Sequence, residues 1–404
     1  MCGESVVDMA APNGDAKMLG LFGGGIEGQS LGGTVTGYKL DVEKILWQSC
    51  EINLWLTNDM KLLLAIALLN PTPHWTIQQS GVTARLRGVS AVSDRVAWAS
   101  GAGSTALRTA DGGATWKKLT VTTDVVDFRD IDAIDTQTAY VLSIGNGPAS
   151  RIYKTTDAGA TWTLQFKNSD GRAFYDAMAF WDAEHGIVVG DSIDRQFCIM
   201  STDNGGRTWV RIPTSTLPAA LENEGAFAAS GSNISLFGKT HAWIGTGAAT
   251  KARVLRTTDR GRTWKISETP LISGPSAGIF SVAFRDAKHG VIAGGDYMKE
   301  KDAVDNLAVT SDGGATWTLA KGLSGYRSVV AYVPHAKTPT LVAIGPSGAD
   351  YSIDDGRTWL RLDGPGFDTL SFARDRNESM AGGWPPGWAA GTGGNLAKLT
   401  FDMK

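Results

Sequence analysis

The chain has 404 residues, with 50 Gly, 14 Pro, 14 Trp and 3 Cys, and 42% of it is apolar. That share is too high for a disordered chain, and 38 Lys and Arg nearly cancel 41 Asp and Glu, which argues against a nucleic-acid protein with a broad basic face. Three cysteines exclude a disulfide scaffold and a Cys-rich zinc site, no apolar run approaches the ~20 residues of a membrane-spanning helix, and Gly far above the usual ~7% points to many tight turns in an all-β globule.

Residues 1–72 share no pattern with the rest of the chain and read as an extension. Within them, Met60-Lys-Leu-Leu-Leu-Ala-Ile-Ala-Leu-Leu69 pairs a start-like Met and one Lys with a short apolar run. That segment resembles the front of a secretory signal peptide. A native start at Met60 would make residues 1–59 an upstream in-frame extension and the mature protein periplasmic or secreted; the alternative is a buried strand or helix.

From residue 73 onward one phrase recurs six times, as [S/T]-x-D-x-G-x-T-W. Its aspartates are Asp111, Asp157, Asp259, Asp312 and Asp354, with Asn204 standing at that position in the third copy. Its tryptophans are Trp116, Trp162, Trp209, Trp264, Trp317 and Trp359, spaced roughly 42–55 residues apart, in the range of propellers and repeat arrays. Each copy reads as a hairpin turn: Asp accepts main-chain N–H groups, Gly supplies a positive φ, and Trp anchors the next strand.

Between the turns lie apolar runs ending in Gly: Val96–Gly101, Ala139–Gly145, Gly186–Gly190, Ala242–Gly245, Gly290–Gly294, Leu341–Gly345 and Gly387–Gly391. There are seven runs for six turns, and the last lacks an outer strand after it. The segment Pro73-His-Trp-Thr-Ile-Gln-Gln79 can supply that strand from the other end of the chain, closing the ring and removing its open edges. The expected fold is a seven-bladed β-propeller of four-stranded antiparallel blades over residues 73–404, and a monomer.

The recurrent turns resemble those of the Asp-box (bacterial neuraminidase repeat) superfamily. The phrases Phe180-Trp-Asp-Ala-Glu-His-Gly-Ile-Val-Val-Gly190 and Phe284-Arg-Asp-Ala-Lys-His-Gly-Val-Ile-Ala-Gly294 are similar to the photosystem II stability/assembly factor branch. The resemblance covers roughly residues 73–401 and implies the propeller fold. The superfamily holds sialidases, other glycoside hydrolases, sorting receptors and non-catalytic assembly factors, so it does not decide activity.

The innermost strands of a propeller open onto a common channel mouth. Aligning Leu86-Arg87, Phe128-Arg129 and Tyr326-Arg327 places Arg87, Arg129 and Arg327 there as substrate-binding candidates, with Ser276 nearby. Tyr175, Asp176, Glu224 and Asp368 are the catalytic candidates at equivalent positions of other blades. Arginines can clamp a carboxylate or a developing oxyanion, and carboxylates can serve as acid, base or metal ligand. Calcium, if present, would draw on Asp130, Asp132 or Asp191, since hard oxygen ligands need no fixed sequence spacing.

The inventory of Arg, Tyr and carboxylates resembles that of sialidases, but Arg211-Ile-Pro213 follows the third turn where the sialidase signature should precede the first. Two G-x-S-x-G matches, Gly28–Gly32 and Gly274–Gly278, lack the strand–turn–helix setting of a nucleophile elbow. His185 and His289 occupy the same turn position in two repeats, and no histidine pair has zinc-ligand spacing. One reading is a hydrolase of a small ester or lactone, for example an acyl-homoserine lactone, assisted by Ca²⁺ or using paired carboxylates on a glycoside. The other is a non-catalytic binding propeller whose arginines dock an acidic protein segment.

Overall fold

A computed structural model describes residues 72–374 and 384–402. The signal-like segment, the proposed Met60 start, the first G-x-S-x-G match and the extension up to residue 71 lie outside the described residues. Those described form seven antiparallel sheets of four strands each. No helix among them is long and apolar enough to cross a membrane.

In each blade the chain runs from an inner strand outward. The inner strands are Leu86–Ala91, Asp127–Ala133, Tyr175–Phe180, Ile234–Phe237, Ala277–Phe284, Val329–Tyr332 and Thr369–Phe372, in blades 1 to 7. Consecutive inner strands lie side by side in a closed ring, the seventh returning to the first. The apolar runs seen in the sequence become the second strands, such as Ala97–Gly101 and Gly290–Asp296. Buried on both faces, they read as near-continuous apolar stretches.

Ring closure occurs as the strand count requires. Thr72–Gln78 pairs antiparallel with Leu396–Asp402, Trp75 opposite Leu399, and becomes the outer strand of blade 7. The strand begins one residue earlier than the sequence suggested.

The recurrent turns share one hydrogen-bond scheme. In the second, Thr155 Oγ1 donates to Asp157 Oδ1 and accepts from Gly159 N–H, while Thr161 donates from its main-chain N–H to Asp157 Oδ1 and from its hydroxyl to Oδ2. These donors, the Thr161 hydroxyl first, pull the Asp157 carboxyl down to about 2. Asn204 keeps the scheme with one bond reversed: its Nδ2 donates to Thr208 Oγ1 at 2.8 Å. The turn tryptophans then wedge against the preceding blade. Trp162 meets Trp98 of blade 1 edge-on at 6.2 Å, and Trp116 donates to Gln78 of blade 7 at 3.0 Å.

Inner strands have no sheet partner on the channel side, so their outward N–H groups need acceptors. Side chains of the preceding blade supply them. Ser90 Oγ accepts from Ala133 N–H, Ser235 from Phe284, Ser281 from Val330 and Ser371 from Ala91. In blade 2 this task falls to aspartates: Asp130 Oδ2 accepts from Met178 N–H at 2.7 Å and Asp132 Oδ2 from Phe180 N–H at 2.9 Å. Asp132 also accepts from Arg374 at 2.9 Å.

Candidate functional site

At the end of the channel where the inner strands begin lies a cavity of about 540 Å³. Local backbone geometry aims side chains into it. Blades 1, 2, 3 and 5 each carry a β-bulge there, between Leu86 and Gly88, Phe128 and Asp130, Tyr175 and Ala177, and Ile279 and Ser281. The extra residues are Arg87, Arg129, Asp176 and Phe280, and all four line the cavity. The glycines ending the second strands make room for the bulges: a Cβ on Gly101, Gly190 or Gly294 would fall onto the carbonyl oxygen of Arg85, Phe174 or Gly278.

Pairing against the second strands gives the equivalent residue in the other blades. Asp368 in blade 7 precedes Thr369, which pairs with Ala390, and it reaches the cavity. In blade 6, Val329 pairs with Ile344, so Ser328 holds the equivalent position. Arg327 stands one residue earlier, in the place Leu86 takes in blade 1, and is turned into the blade. It is fully buried and ion-paired with Asp350, whose Oδ2 accepts from Arg327 Nε at 2.8 Å. The expectation that Arg327 joins Arg87 and Arg129 at the mouth is therefore corrected. A one-residue slip reverses which face a strand side chain meets.

Other candidates also lie elsewhere. Glu224 is 1% exposed, bound to both Arg253 and the Thr246 hydroxyl, and in blade 4 the equivalent position is held by buried Asn233. Tyr175 packs edge-on against Phe166 inside blade 3, where burial pushes its hydroxyl up to about 12. Ser276 sits in a tight turn closed by Gly274 and Ala277, with no helix to form a nucleophile elbow. His185 and His289 each contact a turn aspartate, Asp182 at 2.7 Å and Asp286 at 2.9 Å.

Of the three calcium candidates, Asp191 lines the cavity while the other two serve the backbone. Asp130 and Asp132 spend carboxylate oxygens on main-chain N–H groups of blade 3. Among the described residues no three His, Cys, Asp or Glu side chains converge on a point where a metal ion could sit.

What the cavity does hold is a divided charge distribution. Arg85, two residues before Arg87 on the same side of the chain, forms a bidentate pair with Asp368, both bonds 2.8 Å. Arg129 donates to Asp127 at 2.9 Å and to the Ala228 carbonyl at 2.8 Å. Arg87 has no hydrogen-bond or ion-pair partner among the described residues. Burial first, then the neighbouring Arg129 charge, lower its pKa against the opposing pull of the Asp368 carboxylate.

Asp176 and Asp191 line the same cavity. Asp176 is 2% exposed and its Oδ2 has no hydrogen-bond partner. Burial first, then the Asp191 charge, hold its carboxyl well above the usual range, against the opposing pull of the Ala228 N–H and Arg129. Burial raises Asp191 to about 6. Phe174, Phe227, Phe280, Tyr297 and Tyr326 form the aromatic part of the wall, with Phe227 stacked on Phe280 at 4.0 Å.

Fold and site thus define a seven-bladed β-propeller with a cationic, acidic and aromatic cavity at one channel mouth. No protein-family model matches the chain, and no curated protein matches its sequence. Among solved structures it is similar to YCF48 bound to D1 peptide, at 18% identity and TM-score 0.56, covering 81% of this chain and 97% of that one. Similarity also extends to a GH74 xyloglucanase from Xanthomonas campestris (14% identity, TM-score 0.54, 80% of this chain and 53% of that one). A streptogramin B lyase is similar at 13% identity and TM-score 0.57, with 82% and 98% covered. These likenesses establish the shared propeller fold.

Proposed function

We propose that the mouth is a binding site for a carboxylate-bearing peptide or protein segment. The observation that carries this reading is Arg87, a partly desolvated guanidinium with no hydrogen-bond or ion-pair partner among the described residues, raised on a bulge beside two further arginines. Leaving such a group unpaired is costly, and a bidentate carboxylate supplies what it lacks. The aromatic wall suits an apolar side chain next to that carboxylate. The likeness to a YCF48 structure holding D1 peptide, and the repeat phrases similar to those of the assembly-factor branch, favour a peptide over a free metabolite.

The test is calorimetric titration with an N-acetylated peptide ending in Phe, against the same peptide carrying a C-terminal amide. The acid binds and the amide does not. Arg87→Gln weakens the acid by ~10–100-fold, the loss of one charge-assisted hydrogen-bonded pair of about 1.5–3 kcal/mol. Equal binding of acid and amide, or an unchanged affinity in Arg87→Gln, overturns the proposal.

A second reading, hydrolysis of a small ester or lactone, rests on Asp176 and Asp191, two carboxyls in one cavity with differently raised pKa values. Water would add to the carbonyl while giving a proton to Asp191, and Asp176 would protonate the departing oxygen. Asp368, engaged by Arg85, and Glu224, engaged by Arg253, have no part in it, and it needs no calcium. Turnover of nitrophenyl esters, lactones or sialosides that survives chelator and disappears in Asp176→Ala supports it; no turnover of any of them removes it.

A further inference from the structure

Blade 4 departs from the other blades at the mouth. Gly225 pairs with Gly247 and Ile234 with Ile244, so eight residues of the inner strand stand against two of its partner. Where blades 1, 2, 3 and 5 insert one residue, the chain here leaves the blade as a loop over residues 226–232 and then returns. Its contacts trace where it goes. The Ala226 and Ala228 N–H groups meet Asp191 and Asp176 of blade 3, and the Ala228 carbonyl accepts from Arg129 of blade 2 at 2.8 Å. Ser230 Oγ donates to the Ser328 carbonyl of blade 6 at 2.9 Å, and the Ser230 carbonyl accepts from Thr369 of blade 7 at 3.3 Å. Gly231, at a φ of 76°, lies so close to blade 2 that a Cβ would fall onto the Asp130 carboxylate. Ser232 Oγ donates to Ser281 of blade 5 at 2.9 Å.

A stretch this short that reaches blades 2, 3, 5, 6 and 7 lies across the channel axis as a strap. Ala226, Phe227, Ala228 and Ala229 of the strap line the cavity. Resting on the proposed binding role, we infer that the strap is the specificity element of the mouth: it closes the cavity beneath the ligand and seats one bulky apolar side chain, aromatic by preference, next to the carboxylate held by Arg87. Arg129 ties the two halves of the site together, since it is bonded to the strap at Ala228 and its charge is felt by Arg87. The strap meets the ligand with alanine methyl groups and the Phe227 ring, which is stacked on Phe280 at 4.0 Å. Apolar surface laid on that floor leaves water, and small side chains there leave room for a large one. A polar side chain in the same place finds both main-chain groups of Ala228 already bonded to blades 2 and 3, and loses its own water without replacement.

The experiment titrates the full-length protein with N-acetylated peptides of one sequence that end in Phe, Leu, Ala or Gln, each as the free acid. Wild type binds the Phe peptide ~10–100-fold more tightly than the Ala peptide, which is the worth of burying one large apolar side chain. Leu falls between the two, and Gln binds no more tightly than Ala. Ala228→Leu places a branched side chain on the floor where the ligand's own should lie. It weakens the Phe peptide more than the Ala peptide, so the preference between them shrinks by about tenfold. Should Ala228→Leu not fold, Ala228→Val takes its place with a smaller reduction of the same sign.

Wild type that binds the Phe and Ala peptides alike, or Gln as tightly as Phe, overturns the inference without any variant. So does a Phe-over-Ala preference that survives undiminished in the strap variant, since a merely structural strap would weaken every peptide equally. The two failures are separable. Equal binding of acid and amide sinks the binding role itself. Acid-selective binding that is lost in Arg87→Gln, yet shows no preference among the terminal side chains, sinks only the role given to the strap.

Discussion

Replacing Asp350 with leucine tests whether Arg327 is a core residue of blade 6 or a ligand-binding arginine. In the native blade, Arg327 and Asp350 side chains are 0% and 2% exposed. The guanidinium also donates to the Tyr326 carbonyl at 2.8 Å and to Ser324 Oγ at 2.6 Å, and Asp350 accepts the Ser324 N–H at 3.1 Å. Removing the carboxylate leaves a buried cation with only neutral partners, a loss of about 3–5 kcal/mol for a broken buried pair. At the ~2 °C per kcal/mol expected of a domain this large, the midpoint falls by about 6–10 °C. The double variant Arg327→Met with Asp350→Leu recovers most of that loss, because two apolar side chains replace two paired charges. Urea and thermal unfolding of the two single variants and the double give the coupling, and peptide titration of each gives the function. A fully stable Arg327→Met that binds peptide more weakly would refute the reasoning and return Arg327 to the mouth.

Two further outcomes are expected from close contacts and burial. Gly190→Ala places a methyl group against the Phe174 carbonyl, so the bulge that presents Asp176 must shift; unfolding at lower urea together with altered peptide affinity is expected, and a neutral effect on both would show the bulge is not held by that contact. Asp130 is buried with its carboxyl raised to about 7, against ~3.9 in the unfolded chain. Between those values the folded state binds more protons, so Asp130 stabilises the fold below pH ~4 and that contribution is lost as pH rises through 7. Asp130→Asn, which still accepts the Met178 N–H, flattens the pH dependence of unfolding in that window and is the more stable form at pH 8; an unchanged profile would argue that Asp130 is ionised throughout.

The architecture was legible because each blade repeats its own instructions. A Thr two residues before an Asp, a Gly at positive φ and a Trp three residues further on encode a turn through hydrogen bonds among neighbours, and such bonds are visible in sequence. The seven runs against six turns then required a strand from the N-terminal side, which Thr72–Gln78 provides. The site was legible only in part. Arg87, Arg129, Asp176 and Asp368 were placed at the mouth because the strand phrases around them align. Arg85 was missed although it stands two residues from Arg87, a spacing that puts both side chains on one side of an extended chain.

Arg327 shows where such reasoning stops. The phrase Tyr326-Arg327-Ser-Val has the same pattern as Leu86-Arg87-Gly-Val, yet against the second strand Arg327 takes the place of Leu86, and Ser328, whose N–H meets the Ile344 carbonyl, takes that of Arg87. Which residue of such a phrase takes the extra position is decided by where it meets the end of the neighbouring strand, and that is a property of two strands and not of one. Asp130 and Asp132 teach the same lesson about chemistry. Their spacing put both on one face, as found, but the face meets the bare N–H edge of the next blade, so carboxylates that look like metal ligands serve as main-chain acceptors.

Local hydrogen bonding and the count of repeats, both contained in short stretches of chain, determined the blades, their number and the manner of closure. Which charges remain unspent was decided by distant partners brought together around the ring: Asp368 for Arg85, Arg253 for Glu224, Asp350 for Arg327, and, among the described residues, none for Arg87. A functional group is defined by what it has left over after folding, and only the assembled propeller sets that remainder.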